Sequence, residues 1–457
     1  MKKCYIVAAI FVAMALVFTG CQKKEASSAS SGGSAPVTIS VLNYLDLTAA
    51  NAADSIEAIW GGFEKAYPNI KVVREDLYNE PFHQKLLAYS TSNNLPDVVY
   101  CWPAGRSAYL ADAGQLKDLS TIPGWADFAK NLIPAATNVS AIQGGKQYMI
   151  PSTVTSSTAF YINTATLAKY NLKPATSYAD LVSQVKTLKA AGMQTPLAMD
   201  NKDDWVMESC LYSLIAGRYA GATWTSDLLS GKLKWTDPSM MAGLNFVKQL
   251  YDDGVIAKDS LNSTYGTARQ MFATGQSAYM IDGDWAAGSF ATDKTTGQAL
   301  IPVDQQKNVI ITVFPALPNE VLQNSTATVL GTGYAMSAKL QNGTPEQQAA
   351  WTLLQYLFSK DVQTYNVSTG SIGTPVNTTV DMASINSQRD PILATQGAFD
   401  ADCGGKYPAT PVEDDKFSGN TNTVLNNGLQ QIGLGTMTPQ QVAEATQKAF
   451  DEQYMSK

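Results

Sequence analysis

The chain alternates between strand-like and helix-like segments from residue 37 onward, and this alternation constrains its fold more than any other feature. Residues 37–42 read VTISVL, an alternation that predicts a strand. Residues 56–67 carry apolar side chains at three- and four-residue spacing, which is typical of a helix. Further strands are predicted over 70–73 and 97–100, with a helix from about Pro81 between them. This order predicts an α/β protein whose mostly parallel sheet is covered on both faces.

The same pattern continues along the chain. Strands are predicted over 147–151 and 158–162, followed by a helix over 177–190. Residues 400–430 are rich in Gly, Asn, Asp and Thr, and we expect surface loops there. Three further helix starts combine a capping residue with proline at the first helical position, namely Asp237-Pro238, Thr344-Pro345 and Thr438-Pro439.

The N-terminal residues 1–20 have the composition of an export signal. Two lysines precede an apolar run that is too short to span a bilayer comfortably. Small residues then lead to Cys21, as in a bacterial lipobox, where the cysteine is acylated and becomes the new N-terminus. An uncleaved N-terminal anchor is the alternative. Residues 21–36 are rich in Ser, Gly and Ala and predict a flexible tether.

Composition excludes several classes of function. The chain has 457 residues with 32 basic and 39 acidic side chains, so it lacks the positive surface that a nucleic-acid binder needs. Its single histidine, His83, excludes most histidine-based catalysis and multi-histidine metal sites. Beyond the signal and Cys21, only Cys101, Cys210 and Cys403 remain, too far apart for a disulfide scaffold or a zinc motif. No nucleophile elbow, phosphate-binding loop or cofactor motif is present, so no catalytic residue, metal or cofactor is predicted.

A series of short motifs resembles one known family in order and spacing. The motifs are FEKAYPNIKV at 63–72, LPDV at 95–98, MFATG at 271–275, GDW at 283–285, AAWTLLQYL at 349–357 and GTP at 373–375. Together, behind the lipobox, they resemble extracellular solute-binding protein family 1, the sugar-capturing lipoproteins of ABC importers. The resemblance covers nearly the whole mature chain.

This resemblance implies a two-lobed fold of the type II periplasmic-binding-protein kind. Hinge strands would join two α/β lobes, which close on a ligand held between them. By this analogy the first lobe comprises residues 37–150 and 312–360, and the second comprises 151–311 and 361–457. The closed protein, expected to be a monomer bound to the membrane through its lipid, would deliver a carbohydrate to the permease subunits of the transporter.

A sugar site needs aromatic faces for C–H surfaces and polar groups for hydroxyls. The strongest stacking candidate is Trp285, which follows a predicted strand and matches the family's Gly-x-Trp motif, although it could instead fill the hinge. Glu80, Asp204 and Asp284 could equally serve helix N-termini. The full set of candidates for ligand binding is Asn43, Tyr44, Asp46, Glu80, Trp102, Asp204, Trp205, Asp284, Trp285, Gly333 and Tyr334.

Two other functions remain open at this stage. A secreted glycoside hydrolase would also line its cleft with aromatic rings and carboxylates, but it needs two opposed carboxylates. Alternatively, the same fold could bind a polyamine, which aromatic rings and acids also suit, or another non-sugar solute.

Overall fold

A computed structural model describes residues 36–49, 51–138 and 145–456 of the chain. Residues 1–35, including the predicted signal, Cys21 and most of the tether, lie outside the described residues. The strands are β1 (Val37–Tyr44), β2 (Ile70–Leu77), β3 (Val98–Cys101), β4 (Met149–Pro151), β5 (Val154–Ser156), β6 (Ala159–Asn163), β7 (Leu197–Ala198), β8 (Tyr279–Asp282), β9 (Val309–Thr312), β10 (Thr326–Leu330), β11 (Gly333–Met336) and β12 (Ala409–Thr410).

The first sheet has the strand order β2-β1-β3-β11-β4. Strand β1 pairs in parallel with both β2 and β3, as the alternation of strands and helices predicted, whereas β11 is antiparallel to its neighbours β3 and β4. Apolar residues of β1 such as Ile39 and Leu42 are fully buried, and they point to opposite faces of the sheet. We call the part of the protein built on this sheet the first lobe.

The second sheet has the order β7-β8-β6-β9 and forms the centre of the second lobe. The prediction of a mostly parallel sheet is wrong here, because β6 is antiparallel to both β8 and β9. Phe160 of β6 packs against Tyr279 of β8 and against Phe314, and all three rings are fully buried. An alternation of strands and helices predicts where strands lie, but it does not reveal which strands pair or in which direction.

A third sheet, of order β12-β10-β5, carries the chain between the two lobes. Along the chain, β5 follows β4 of the first sheet and precedes β6 of the second. Likewise, β10 follows β9 of the second sheet and precedes β11 of the first. The two crossing strands pair with each other in antiparallel register, with Thr328 opposite Ser156. They form the connection that the family resemblance implied.

The longer helices cover the sheets and begin at many of the predicted capping residues. Ser177 and Thr438 each form a complete capping box, with Asp180 and Gln441 respectively. None of the described helices is both long and apolar enough to cross a membrane. The helices of eight or more residues are Glu80–Thr91, Tyr178–Ala190, Ser213–Ala220, Pro238–Asp252, Tyr265–Ala273, Pro345–Leu357, Lys360–Thr369, Pro391–Cys403, Gly419–Leu434 and Pro439–Phe450.

Shorter helical segments complete the described structure. They are Ala52–Ser55, Ile56–Gly61, Gly62–Ala66, Ala104–Ser107, Ala108–Asp112, Leu119–Thr121, Trp125–Ala129, Pro134–Thr137, Thr164–Ala168, Trp205–Met207, Glu208–Tyr212, Trp224–Leu229, Lys258–Asn262, Asp284–Phe290, Val303–Gln306, Met382–Asn386 and Asp451–Met455. The three segments Ile56–Gly61, Glu208–Tyr212 and Asp451–Met455 are π-helical turns, each continuous with an α-helix.

The prediction of surface loops over residues 400–430 is wrong for its second half. The helix Gly419–Leu434 begins there and buries Leu425, Leu429 and Ile432 on one side. Its glycines allow close packing, since a Cβ at Gly428 would meet the side chain of Val442. The many Asn and Gly residues lower helix propensity but do not prevent a helix whose apolar face is buried.

The lobe boundaries remain a prediction, and the packing favours two adjustments. Phe314 and Ala327 belong to the core of the second lobe, so the chain returns to the first lobe near residue 330 rather than at 312. Fully buried Arg218 supports this, because it donates to the carbonyl oxygens of Phe314 and Pro315 at 2.8 and 2.7 Å. Val376, in contrast, belongs to a core of the first lobe.

Candidate ligand-binding site

Aromatic side chains of the first lobe gather where its parallel strands end. Tyr44 is the last residue of β1, and Tyr78 and Trp102 come directly after β2 and β3. The ring centroid of Tyr44 lies 4.9 Å from that of Tyr78, 5.1 Å from Trp102 and 5.5 Å from Tyr100. The carboxyl ends of parallel strands share one sheet edge, which is where α/β proteins place their ligands. We call Tyr44, Tyr78, Tyr100 and Trp102 the first aromatic cluster.

A second group of rings lies on the second lobe. Trp205 comes after β7, Trp285 after β8, and Tyr265 begins the helix Tyr265–Ala273. The ring of Trp205 lies 5.9 Å from Tyr265 and 6.5 Å from Trp285. All three are partly exposed, unlike the fully buried rings of Trp224 and Trp235 in the core. We call Trp205, Tyr265 and Trp285 the second aromatic cluster.

A network of polar groups fixes the second aromatic cluster in place. The indole Nε1 of Trp285 donates to the hydroxyl of Tyr265, which donates to Asp282 Oδ1 at 2.6 Å. Arg269 donates to the other oxygen of Asp282 at 3.0 Å, and its guanidinium lies 3.7 Å from the centre of the Tyr265 ring. Burial acts to lower the pKa of Arg269, but Tyr265 and Asp282 outweigh it and raise the pKa. Arg269 is therefore a permanent cation that holds both neighbours.

The two aromatic clusters face each other across the lobes. Asn79 Nδ2 of the first lobe donates to Asp203 Oδ2 of the second at 3.3 Å. The pKa of Tyr78 is raised by burial, and Arg269 of the second lobe opposes that rise from close by. The guanidinium carbon of Arg106 lies 5.8 Å from the ring centre of Trp102 and 5.9 Å from that of Trp205. These contacts describe a closed arrangement of the lobes.

Carboxylate side chains lie beside the two aromatic clusters, at the edge of the contact between the lobes. Asp204 occupies the N-cap position of the short helix Trp205–Met207, yet its side chain makes no capping hydrogen bond. Its pKa is raised first by burial and then by the nearby charges of Asp203 and Glu80. Glu80 is exposed on the opposite lobe and accepts from Gln84 at 3.0 Å. Asp204 and Glu80 thus keep acceptor oxygens that a ligand hydroxyl could use.

Asn43 and Tyr334 are brought together, but they bind each other. The Tyr334 hydroxyl donates to Asn43 Oδ1 at 2.6 Å, and Asn43 Nδ2 donates to Asp76 Oδ1 at 2.7 Å. Arg74 Nε completes the chain with a 2.6 Å contact to the same oxygen of Asp76. The Tyr334 ring meets that of Tyr100 edge-on at 5.1 Å. These two candidates therefore support the first aromatic cluster from inside the lobe.

Three other candidates have internal partners as well. Asp46 Oδ1 accepts from the backbone N and the hydroxyl of Thr48 at 2.8 and 2.6 Å, closing a local turn. Buried Asp284 accepts from the Thr155 hydroxyl and from Ser156 N, and burial raises its pKa. Gly333 lies where a Cβ would collide with the carbonyl oxygen of Ile150. Strand packing thus accounts for this glycine.

Several residues of the candidate site were not predicted. Tyr78 was missed because the sequence predicted only the beginning of β2, over 70–73, whereas the strand runs to Leu77. Tyr265, Arg106 and Arg269 carry no sequence signal, since lobe closure alone brings Arg106 between two tryptophans. His83 also lies beside the first aromatic cluster. It packs 4.9 Å from Trp102, and burial, followed by the charge of Arg106, lowers its pKa to about 4.

Comparisons with known proteins agree with this architecture. An uncharacterized ABC transporter extracellular-binding protein of Pyrococcus horikoshii is 23% identical over 267 residues, 56% of this chain and 59% of that protein. A maltooligosaccharide ABC transporter solute-binding lipoprotein of Streptococcus pneumoniae is 25% identical over 311 residues, 66% of either chain. The chain thus spans roughly three fifths to two thirds of the length of these relatives.

The solved structures establish the fold. A chitin oligosaccharide binding protein superposes with a TM-score of 0.77 and 21% identity, covering 92% of this chain and 100% of that one. The two-lobed type II α/β fold that the sequence predicted is therefore confirmed. The sequence profile described as bacterial extracellular solute-binding protein matches residues 49–364. The chain is a member of the bacterial extracellular solute-binding protein family.

Proposed function

We propose that this protein captures a carbohydrate between its lobes and delivers it to the permease of an ABC importer. One observation carries the proposal: partly exposed rings from both lobes face each other at the strand ends, with carboxylates beside them. Trp102 and Tyr44 would stack on one face of a sugar, and Trp205 and Trp285 on another. Such rings match the C–H faces of a pyranose, which hydrogen bonds alone cannot hold.

Polar groups next to the rings suit hydroxyls. Asp204 and Glu80 provide acceptor oxygens on opposite lobes, and Asp203 extends this set although the sequence had not singled it out. Hydrogen bonds from neutral hydroxyls to ionised carboxylates are short and strong. Because the carboxylates belong to both lobes, a sugar that bonds to each of them would favour closure. Asn43, Asp284, Gly333 and Tyr334 are left out of the proposed contacts because each is engaged inside the protein. Asp46 is left out because its carboxylate closes a local turn on Thr48.

The relatives support a ligand of several sugar units. The pneumococcal relative is named for maltooligosaccharides and the structural neighbour for chitin oligosaccharides. Two facing aromatic clusters can each hold a different ring of an oligosaccharide. We therefore expect short oligosaccharides to bind more tightly than their monosaccharides.

Calorimetric titration against mono- and oligosaccharides tests the proposal. Saturable heat with a sugar, together with a thermal shift, is the expected result. The panel includes spermidine, because Glu80, Asp203 and Asp204 beside aromatic rings would also suit a cation. Arg106 and Arg269 in the same place oppose a polycation. Heat with spermidine and none with any sugar would overturn the carbohydrate proposal.

We further propose that the protein only binds its ligand and does not hydrolyse it. Asp284 and Asp400 form a buried carboxylate pair, but the two lie against each other inside the second lobe. A glycoside hydrolase needs its two carboxylates separated across the scissile bond. Incubation with oligosaccharides should therefore yield no new reducing ends, and turnover would contradict a binding-only role. Acylation at Cys21 would hold the exported protein, acting as a monomer, at the membrane beside the permease.

A further inference from the structure

A short loop of the first lobe inserts against the second lobe next to the candidate site. The helical turn Ala104–Ser107 follows Trp102 and packs on residues 413–416. The backbone N of Gly105 donates to the carbonyl oxygen of Asp415 at 2.7 Å. A Cβ on Gly105 would lie 3.0 Å from the same backbone, so a larger residue would require the two segments to shift apart. This backbone hydrogen bond is as short as those within a single domain, although it joins two lobes.

Arg106, at the centre of this loop, enters a group of second-lobe carboxylates. It forms an ion pair with Asp414, whose side chain is 7% exposed. Glu208 and Glu413 are fully buried nearby, and Asp415 is partly buried. Burial raises the pKa of Glu208 and of Asp415 to about 7 and that of Glu413 well above its usual value, and Arg106 opposes the rise in all three. We call Glu208, Glu413, Asp414 and Asp415 the acidic pocket.

Hydrogen bonds within the second lobe satisfy the acidic pocket only in part. Ser213 Oγ donates to Glu208 Oε1 at 2.6 Å, and Asn422 Nδ2 donates to Glu413 Oε2 at 2.6 Å. Within the described residues, Glu208 Oε2 and Glu413 Oε1 are buried without a hydrogen-bond partner. Buried carboxylates in this state are costly unless a cation compensates them. Arg106 is the cation that acts on the pKa of Glu208 and Glu413, and it comes from the other lobe.

We propose that Arg106 is a positioning residue that latches the closed form, inserting into the acidic pocket of the second lobe as the lobes meet. When the lobes separate, the arginine leaves with the first lobe and Asp414 loses its ion-pair partner. The same guanidinium stands beside the rings of Trp102 and Trp205. Latching therefore aligns the two tryptophans that would stack on a sugar, and in this respect the inference rests on the proposed function.

The latch gives the protein a closed population before any ligand arrives. A ligand that binds only the closed form gains apparent affinity in proportion to that population. Loss of the latch should therefore weaken binding without removing any ligand contact. We expect about a tenfold loss of affinity, within the usual range for coupling between sites, mainly through faster dissociation.

The test measures lobe closure directly, without any ligand, in the full-length protein. Small-angle X-ray scattering gives the radius of gyration, and amide exchange reports on residues 103–107 and 413–416. Arg106→Gln and Asp414→Asn should each raise the radius of gyration and speed exchange in both segments. Lys232→Gln is the matched control, because it removes an exposed cation that lies 3.9 Å from Asp227. It should change neither measurement.

A charge exchange keeps the test decisive if one variant folds poorly. The double variant Arg106→Asp with Asp414→Arg restores an ion pair and should recover part of the closed population that Arg106→Asp loses. An unchanged radius of gyration and unchanged exchange in folded Arg106→Gln and Asp414→Asn would overturn the latch. Sugar binding plays no part in these measurements. The latch can therefore fail while carbohydrate capture stands, and the reverse also holds.

Discussion

The indole nitrogen of Trp285 donates to the hydroxyl of Tyr265, and that hydroxyl in turn donates to Asp282. Trp285, the strongest stacking candidate from the sequence, is thus held by a tyrosine that no sequence motif marks. Arg269 lies under the Tyr265 ring and binds the same aspartate. The orientation of the Trp285 ring is therefore set before any ligand binds, which lowers the entropy cost of binding.

Truncation of either tryptophan of the second cluster should weaken sugar binding. Trp205→Ala and Trp285→Ala each remove a stacking face, and we expect a loss of about 2 kcal/mol in binding free energy, typical of a central aromatic contact. Isothermal titration measures the loss. Tyr407→Ala, which removes a partly buried ring packed on Phe399, is the control and should bind as the wild type does. Equal affinity in all three variants would clear the tryptophans of a ligand role.

Removing the hydroxyl of Tyr265 tests the polar network alone. Tyr265→Phe keeps the ring under Arg269 but leaves Trp285 Nε1 without its acceptor. We expect stability to fall by about 1–3 kcal/mol, the usual cost of an unsatisfied buried group. Sugar affinity should fall as well, because the Trp285 ring is less firmly oriented. Urea unfolding and calorimetry measure the two effects, and a variant equal to wild type in both would show that the network is dispensable.

Gly333→Ala should destabilise the first lobe strongly, because its Cβ would collide with the Ile150 carbonyl oxygen in the paired strand β4. We expect a loss of more than about 3 kcal/mol, in the range of severe overpacking. Gly266→Ala is the matched control, since its Cβ meets nothing within 4 Å in the helix Tyr265–Ala273. Because alanine has a higher helix propensity than glycine, the stability of Gly266→Ala should be unchanged or slightly raised. Similar urea midpoints for both variants would contradict the packing argument.

Stability should depend on pH through His83. Burial and then Arg106 lower its pKa to about 4 in the folded protein, whereas an exposed histidine has a pKa of about 6.5. The unfolded chain therefore takes up this proton at a higher pH than the folded protein does. The free energy of unfolding is therefore unaffected by His83 above about pH 6.5 and falls progressively as the pH decreases toward 4. Thermal unfolding from pH 4 to 8 should show a shallower decline in His83→Gln than in wild type, and parallel curves would contradict the shift.

The proposed lipid anchor at Cys21 can be tested in cells. Cys21→Ala removes the sulfur that acylation needs, so the protein should no longer partition with membranes or into the detergent phase. Ser27→Ala in the same tether is a control that should keep membrane association. If Cys21→Ala still partitions into detergent, residues 1–20 act as an uncleaved anchor.

The sequence predicted those parts of the site that follow strand ends. Tyr44 and Trp102 were found because apolar alternation ends just before them, and parallel strands place such positions together. Tyr78 was missed because the polar residues Arg74, Glu75 and Asp76 interrupt the apolar alternation. The strand nevertheless continues through them, paired with β1 as far as Leu77, and Arg74 and Asp76 form an ion pair at 2.6 Å. A pattern of hydrophobic residues cannot predict an ion pair between two residues on the same face of a strand.

The carboxylates were harder to assign, for a related reason. Asp204 precedes a helical turn and Asp284 begins one, so both were equally suited to a helix N-terminus by sequence position. The structure separates them through their partners, since Asp284 accepts from Thr155 and Ser156 of a strand more than a hundred positions away. Arg106 was still harder to predict, because sequence position alone does not reveal partners that are distant along the chain. Its partners Asp414 and Trp205 come from distant segments that meet only when the lobes close.

The antiparallel pairing of β5 with β10 has a mechanical consequence. Ladder hydrogen bonds between the two crossing strands resist sliding and stretching, whereas a narrow ribbon can still bend and twist. The lobes should accordingly swing on an arc and return to one alignment each time they meet. A residue inserted between Leu330 and Gly333 would lengthen only one of the two crossing connections. The tryptophans of the two lobes would then be misaligned when the lobes close.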